Sequence, residues 1–281
     1  MTAAGALALA AGIGFTAMSG GADNPASPPV ETVAAPPPEA GPGEWRLPER
    51  SWAPLPLPDP ASERYGAQVG ALYAQPPPSL DECAAPSVPD TEAQWEAAVR
   101  DQWYCVHRAW APTFQRLGWS TTAPPVHFFA GTGDDSACGY LEAPAFYCSA
   151  GEGSVHFGAR HYAMARLWDL SVNEMVNHEY GHHLQHLSGI TQSKLRMPHT
   201  AELERRAELQ ATCWSAAMTY RNAALRFGEA EYDAWVQRLE TMQADGVHGS
   251  RVSLFRWGLR GLYATTMNDC NTWVVPASEV A

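Results

Sequence analysis

The chain has 281 residues, enough for one domain of ordinary size with extensions or for two small ones. Hydrophobic residues make up 46% of it, with 11 Trp among them, so a sizeable core is within reach. A net charge of −12 and a pI near 5.2 argue against a nucleic-acid-binding face and against docking on anionic lipid.

Residues 3–18 read AAGALALAAGIGFTAM. This stretch is short for a membrane span and suits the apolar core of an export signal, although the first basic residue is Arg46 and the usual positive N-terminal stretch is missing. Residues 1–23 are therefore expected to be a signal peptide or the remnant of a membrane anchor. Residues 24–60 carry 12 of the 23 prolines, including Pro36–Pro38 and the alternation PLPLPDP at Pro54–Pro60. Such a segment prefers extended polyproline and reads as a disordered linker. Residues 61–281 are predicted to fold. The six cysteines, Cys83, Cys105, Cys138, Cys148, Cys213 and Cys270, form no CxxC pair, which disfavours a zinc knuckle or a redox motif. They read either as three disulfides in an oxidising compartment or as six buried thiols; the export-like N-terminus favours the disulfides and a secreted or outer-face location.

A short helical piece is predicted near residues 61–74, closed by Pro76–Pro78. Residues 91–117 have helical spacing, with Trp95, Val99, Trp103, Val106 and Trp110 as a core stripe. Val126–Phe129 reads as a strand, and a second strand is expected near Val155–Phe157. A helix is predicted from Ser171, with Ser171 as cap and Glu174 completing a capping box, to a stop at Gly189. Further helices are expected over residues 200–227 and 230–245. Helix, strands, then helices suggest an α+β fold, mainly helical with a small sheet.

The helix that ends at Gly189 carries VNHEYGHHLQHLSGI. His178, Glu179 and His182 form HExxH. Residues four apart share one helix face, so both imidazoles can reach one zinc ion, while Glu179 can reach a water on the metal as general base. His186 lies eight residues from His178, roughly 12 Å along the axis, too far for the same ion. His183 and His186 are read as packing or surface histidines. Gly181, costly in a helix by ~1 kcal/mol, suggests a close helix crossing. The metzincin spacing is absent, since Gln185 and Ser188 occupy the places of its Gly and His. A third ligand is sought on the next helix, AELERRAELQATCWSA. There Glu208 flanks the apolar stripe Leu203, Ala207, Ala211 and Trp214, whereas Glu202 and Glu204 sit at the helix start and favour its dipole. His248, in a glycine-containing loop, is a candidate oxyanion donor, with Tyr162 and His156 as rivals.

HEYGHHLQ followed by RRAELQATC resembles the neutral zinc metallopeptidases, whose pattern is HExGHHxQ and then RxELQADC. The likeness extends over roughly residues 126–273. It implies a zincin-like peptidase domain holding one Zn2+ through His178, His182 and Glu208. It also implies disulfides Cys138–Cys148 and Cys213–Cys270, leaving Cys83 and Cys105 as the third pair. Zincins in general bind an extended peptide along a strand, which here points to residues 154–157. One departure from the pattern stands out: Thr212 occupies the place of an acid that would orient a ligand histidine. Either Thr212 serves, or another acid such as Asp169 or Glu174 does. The expected function is an exported, monomeric zinc metalloendopeptidase acting on peptides or proteins. The alternative is a weak or inactive relative acting as an extracellular binding module.

Overall fold

The computed structural model describes residues 45–281; the expected signal or anchor, and the linker as far as residue 44, lie outside the described residues. The elements are α1 (Tyr65–Gln68), α2 (Glu92–Leu117), β1 (Val126–Phe129), β2 (Asp134–Ser136), β3 (Gly139–Leu141), β4 (Ala145–Cys148), β5 (Ser154–Gly158), α3 (Ala159–Ala165), α4 (Ser171–Leu187), α5 (Ile190–Leu195), α6 (Ala201–Tyr220), α7 (Glu229–Thr241) and α8 (Arg251–Leu262). The fold is α+β, mainly helical, as expected.

The Trp stripe of α2 behaves as its spacing predicts. Thr91 caps the helix in a reciprocal capping box with Gln94, and Trp95, Val99, Trp103, Val106 and Trp110 are fully buried. Trp214, Trp235, Trp257 and Trp273 are fully buried as well. The indole N–H groups do not go to waste: Trp103 donates to Pro124 O, Trp214 to Met267 O and Trp235 to Gly258 O. These fully buried rings thus enter the core with their donors satisfied, whereas the buried N–H groups of Trp52 and Trp168, at the core's edge, have no hydrogen-bond partner among the described residues.

The centre of the domain is a stack of three helices, α4 on α6 on α8. Small residues allow the close approach. A Cβ on Gly181 would lie 3.0 Å from Ala211 Cα, which is the crossing that glycine suggested. Gly261 of α8 lies against the Cys213 carbonyl and the Ala216 methyl of α6. Arg206, fully buried, donates to the carbonyls of Thr272 and Val275 and to Glu202, fixing the C-terminal segment on α6.

β1, β5 and β4 form a three-stranded sheet in that order, with β1 parallel and β4 antiparallel to β5; β2 and β3 form a separate hairpin. All three disulfides are present: Cys83–Cys105, Cys138–Cys148 and Cys213–Cys270.

Several local expectations need correction. Ser171 is not a cap; it is the first residue of α4, whose N-cap is Leu170 with no side-chain bond. Glu174 is buried and ion-paired with Arg238 of α7, 3.1 Å away, so it ties two helices together instead of closing a capping box. Gly189 does end α4, in the left-handed conformation that favours glycine there (φ 80°). α6 stops at Tyr220, seven residues short of the expected end. The strand at 154–157 is the central strand, paired on both sides, and so cannot accept an added peptide strand; the edges are β1 and β4. Residues 45–60 lack helix and strand, yet they are not a free spacer. Leu47, Trp52 and Leu55 pack on the core, Tyr263 O–H donates to Pro48 O (2.7 Å), and Arg260 donates to Ala53 O (3.3 Å).

Candidate metal centre

The α4–α6 crossing builds the site. His178 and His182 project from one face of α4, one turn apart, and Glu208 from α6, one turn before Thr212. His178 Nε2 is 3.1 Å from Glu208 Oε2, His182 Nε2 is 3.5 Å from Glu208 Oε1, and the two Nε2 atoms are 3.2 Å apart. Donors placed ~2.0–2.1 Å from a tetrahedral zinc stand roughly 3.3–3.4 Å from one another. The spacing of this His2Glu set therefore fits that ion. The three side chains remain 13–19% exposed, which leaves the open side that a catalytic site needs.

The electrostatics agree with a cation site. Burial alone would raise Glu208, but the charge of His182 and the bonds from both histidines outweigh it and hold the carboxyl well below its usual range. Burial would likewise depress His182, and Glu208 reverses this, raising it. Behind His178, Thr212 O–H donates to its own helix at Glu208 O (2.9 Å), so its oxygen is left to accept from His178 Nδ1, 3.5 Å away. Behind His182, Nδ1 lies 2.9 Å from Gln185 Oε1. Among the described residues neither Nδ1 is backed by a carboxylate: Gln185 and Thr212 stand there, Glu174 is engaged by Arg238, and Asp169 forms no hydrogen bond or ion pair with the ligands.

Glu179, the next residue round α4 from His178, is 4% exposed, and its Oε2 has no hydrogen-bond partner among the described residues. Burial pushes its pKa up, with the charges of His182 and His178 pulling the other way. An unpaired carboxylate oxygen is costly to bury and is tolerated best where chemistry requires it.

The profile of the family described as "putative neutral zinc metallopeptidase" matches residues 79–273. The chain belongs to that family. No curated protein and no solved structure matches it. The three donors lie within the matched residues, and their ligand atoms all stand within 4.8 Å of one another, close enough to hold one metal ion.

The remaining candidates fall elsewhere. His248 pairs with Asp245 Oδ1 (3.0 Å) inside its own exposed loop and touches none of the ligands. Its neighbour Gly249 packs on Leu209, the residue after Glu208. Tyr162 donates to Asp90 O (3.1 Å). His156 has both nitrogens occupied, by Asp134 (2.8 Å) and Ser154 (2.9 Å). His183 is buried among Trp103, His107, Phe114 and Tyr180, and His183 and His186 share the Tyr147 hydroxyl at 3.0 and 2.9 Å; both are packing residues, as read. In the sequence Gln185 stands out only as a mismatch to the metzincin spacing and as the last residue of HEYGHHLQ, with no role assigned to it. Its signal was there: position i+3 from His182, on the same helix face.

Proposed function

We propose that this family member is an exported zinc-dependent endopeptidase, with His178, His182 and Glu208 as the ligands of one ion and Glu179 as general base. The observation that carries the reading is the set of 3.1–3.5 Å separations among the three donor atoms. Bound zinc supplies a Lewis acid that polarises a carbonyl and lowers the pKa of water.

The rest of the chemistry falls to the protein. Glu179, buried and with no partner for Oε2 among the described residues, takes the proton of the attacking water and delivers it to the leaving amine. Glu208 is held ionised and so keeps an anionic donor in the set. An extended peptide is best accommodated at β4, which among the described residues is an edge strand paired with β5 alone and which packs beside α4. His248 remains the proposed oxyanion donor, because its loop sits on the residue next to Glu208. The three disulfides support an oxidising compartment and hence export. Among the described residues no helix is long and apolar enough to cross a membrane. A second reading, a non-catalytic binding module, is favoured by one observation: both ligand histidines rest on neutral partners.

The test is cleavage of an unfolded mixed-protein substrate by the full chain, made under oxidising conditions and loaded with zinc. Glu179→Gln should keep the metal and lose ~10²–10⁴-fold in rate. His248→Ala should lower kcat at unchanged zinc content. Stoichiometric zinc without cleavage of any tested protein would move the assignment to the binding module.

A further inference from the structure

We infer that Gln185, and not an acid, sets the tautomer and aim of His182, through a buried amide relay that runs from α4 across α6 to the segment held by the Cys213–Cys270 disulfide. The inference rests on the zinc reading of the triad. Gln185 is 2% exposed. Its side-chain N–H group donates to the Ala207 carbonyl (2.8 Å) and to Gln210 Oε1 (3.1 Å). A backbone carbonyl only accepts, so the orientation of the Gln185 amide is fixed. The oxygen is then the atom that faces His182 Nδ1 at 2.9 Å. His182 must therefore carry a proton on Nδ1, so that Nε2, on the side of Glu208 and His178, is the nitrogen free to give its lone pair to zinc.

Gln210 is locked in the same way. It is fully buried, and its Oε1 also accepts from the Trp273 indole (3.1 Å), which can only donate. Its N–H group donates to the Tyr73 hydroxyl (3.0 Å) and the Cys270 carbonyl (3.3 Å). No flipped arrangement of either amide keeps these bonds. A flip of Gln185 would force the other tautomer on His182 and turn an N–H toward the place where a ligand lone pair is needed. Ala207 and Gln210 flank Glu208 on α6, so the helix that supplies the third ligand also fixes the partner of the second. Gln185 is thus a positioning residue with a neutral acceptor, in a place where a carboxylate is the commoner partner.

The experiment uses the full chain, reading zinc affinity by competition with a chromophoric chelator and imidazole tautomers by long-range 1H–15N NMR. Zinc-loaded wild type should show His182 protonated on Nδ1 and bound through Nε2. Gln185→Met should lower zinc affinity ~10–100-fold. Gln185→Glu, which still offers Nδ1–H an oxygen, should restore affinity toward wild type even where its melting temperature drops. A packing role alone predicts equal affinity losses in both variants, in step with stability. Binding of zinc through His182 Nδ1 in the wild type, a measurement that needs no variant, would overturn the inference, as would unchanged affinity in Gln185→Met. Failure of the wild type to bind zinc, or binding that survives His178→Ala, would instead overturn the metal reading and this inference with it.

Discussion

Thr212 is where the residue scale gives the least obvious outcome. It is 4% exposed, and its hydroxyl is spent on Glu208 O, so it offers His178 a long, uncharged contact of 3.5 Å. An aspartate at this position has no proton for Glu208 O, but it would place a charge behind the imidazole and make the nitrogen that faces the metal more basic. Thr212→Asp is expected to tighten zinc by roughly tenfold, the lower end of what such partners contribute. A competitive chelator titration that finds the two proteins alike would show that the neutral contact already suffices. The ligands themselves were legible in the sequence because helix geometry ties i to i+4 and the apolar stripe of α6 orients Glu208. Their supporting partners were less so: Gln185 is held by a backbone carbonyl and by a second amide 25 residues away, and neither leaves a mark in local pattern.

At the scale of elements, the site depends on how near α4 comes to α6. Gly181 touches Ala211 three residues beyond Glu208, so a side chain there would wedge the helices apart at the ligands. Gly181→Val is expected to cost ~1–3 kcal/mol in folding, as overpacked cores do. It should also weaken zinc binding, whereas an exposed substitution of equal cost should leave zinc alone. Urea unfolding together with a zinc titration on both variants separates these outcomes. The same logic explains which elements could be read from the sequence. α2 shows an unbroken apolar period and a capping box, and it lies where expected. α8 was missed because Gly258 and Gly261 weaken its local helix signal. Those glycines serve contacts with Leu239 and Cys213 on other helices, which no window of sequence reveals. Ser171 and Glu174 make a convincing capping box in the sequence, but Arg238 from α7 takes the carboxylate. The sheet order, with β5 between its partners, likewise depends on contacts beyond local pattern.

The whole molecule is fastened at a distance by its three disulfides, by Arg206 on the C-terminal segment and by residues 45–60 on the α7–α8 side. It also encloses imidazoles that must stay neutral, and this sets its response to acid. His161 is fully buried, and the Trp95 indole donates to its Nδ1 (3.2 Å), so that nitrogen has no room for a proton. Burial foremost, with the charge of Arg238 adding to it and the nearby Ser171 backbone opposing it, brings its pKa down to about 4. In the unfolded chain the same group titrates near ~6.5. Between those values the unfolded state binds a proton that the folded state refuses. The contribution of His161 is therefore complete above about pH 6.5, falls as the pH drops and levels off below about pH 4. At ~1.4 kcal/mol for each pH step, the loss comes to ~3 kcal/mol. Urea unfolding from pH 7.5 down to about 4, with chelator present throughout so that metal release plays no part, should trace this limb. His161→Gln keeps an acceptor for Trp95 and does not titrate, so its stability should fall less steeply with acid, by the equivalent of one proton. An identical slope in the two proteins would assign the acid limb to other groups, His183 first among them, since burial lowers it as well.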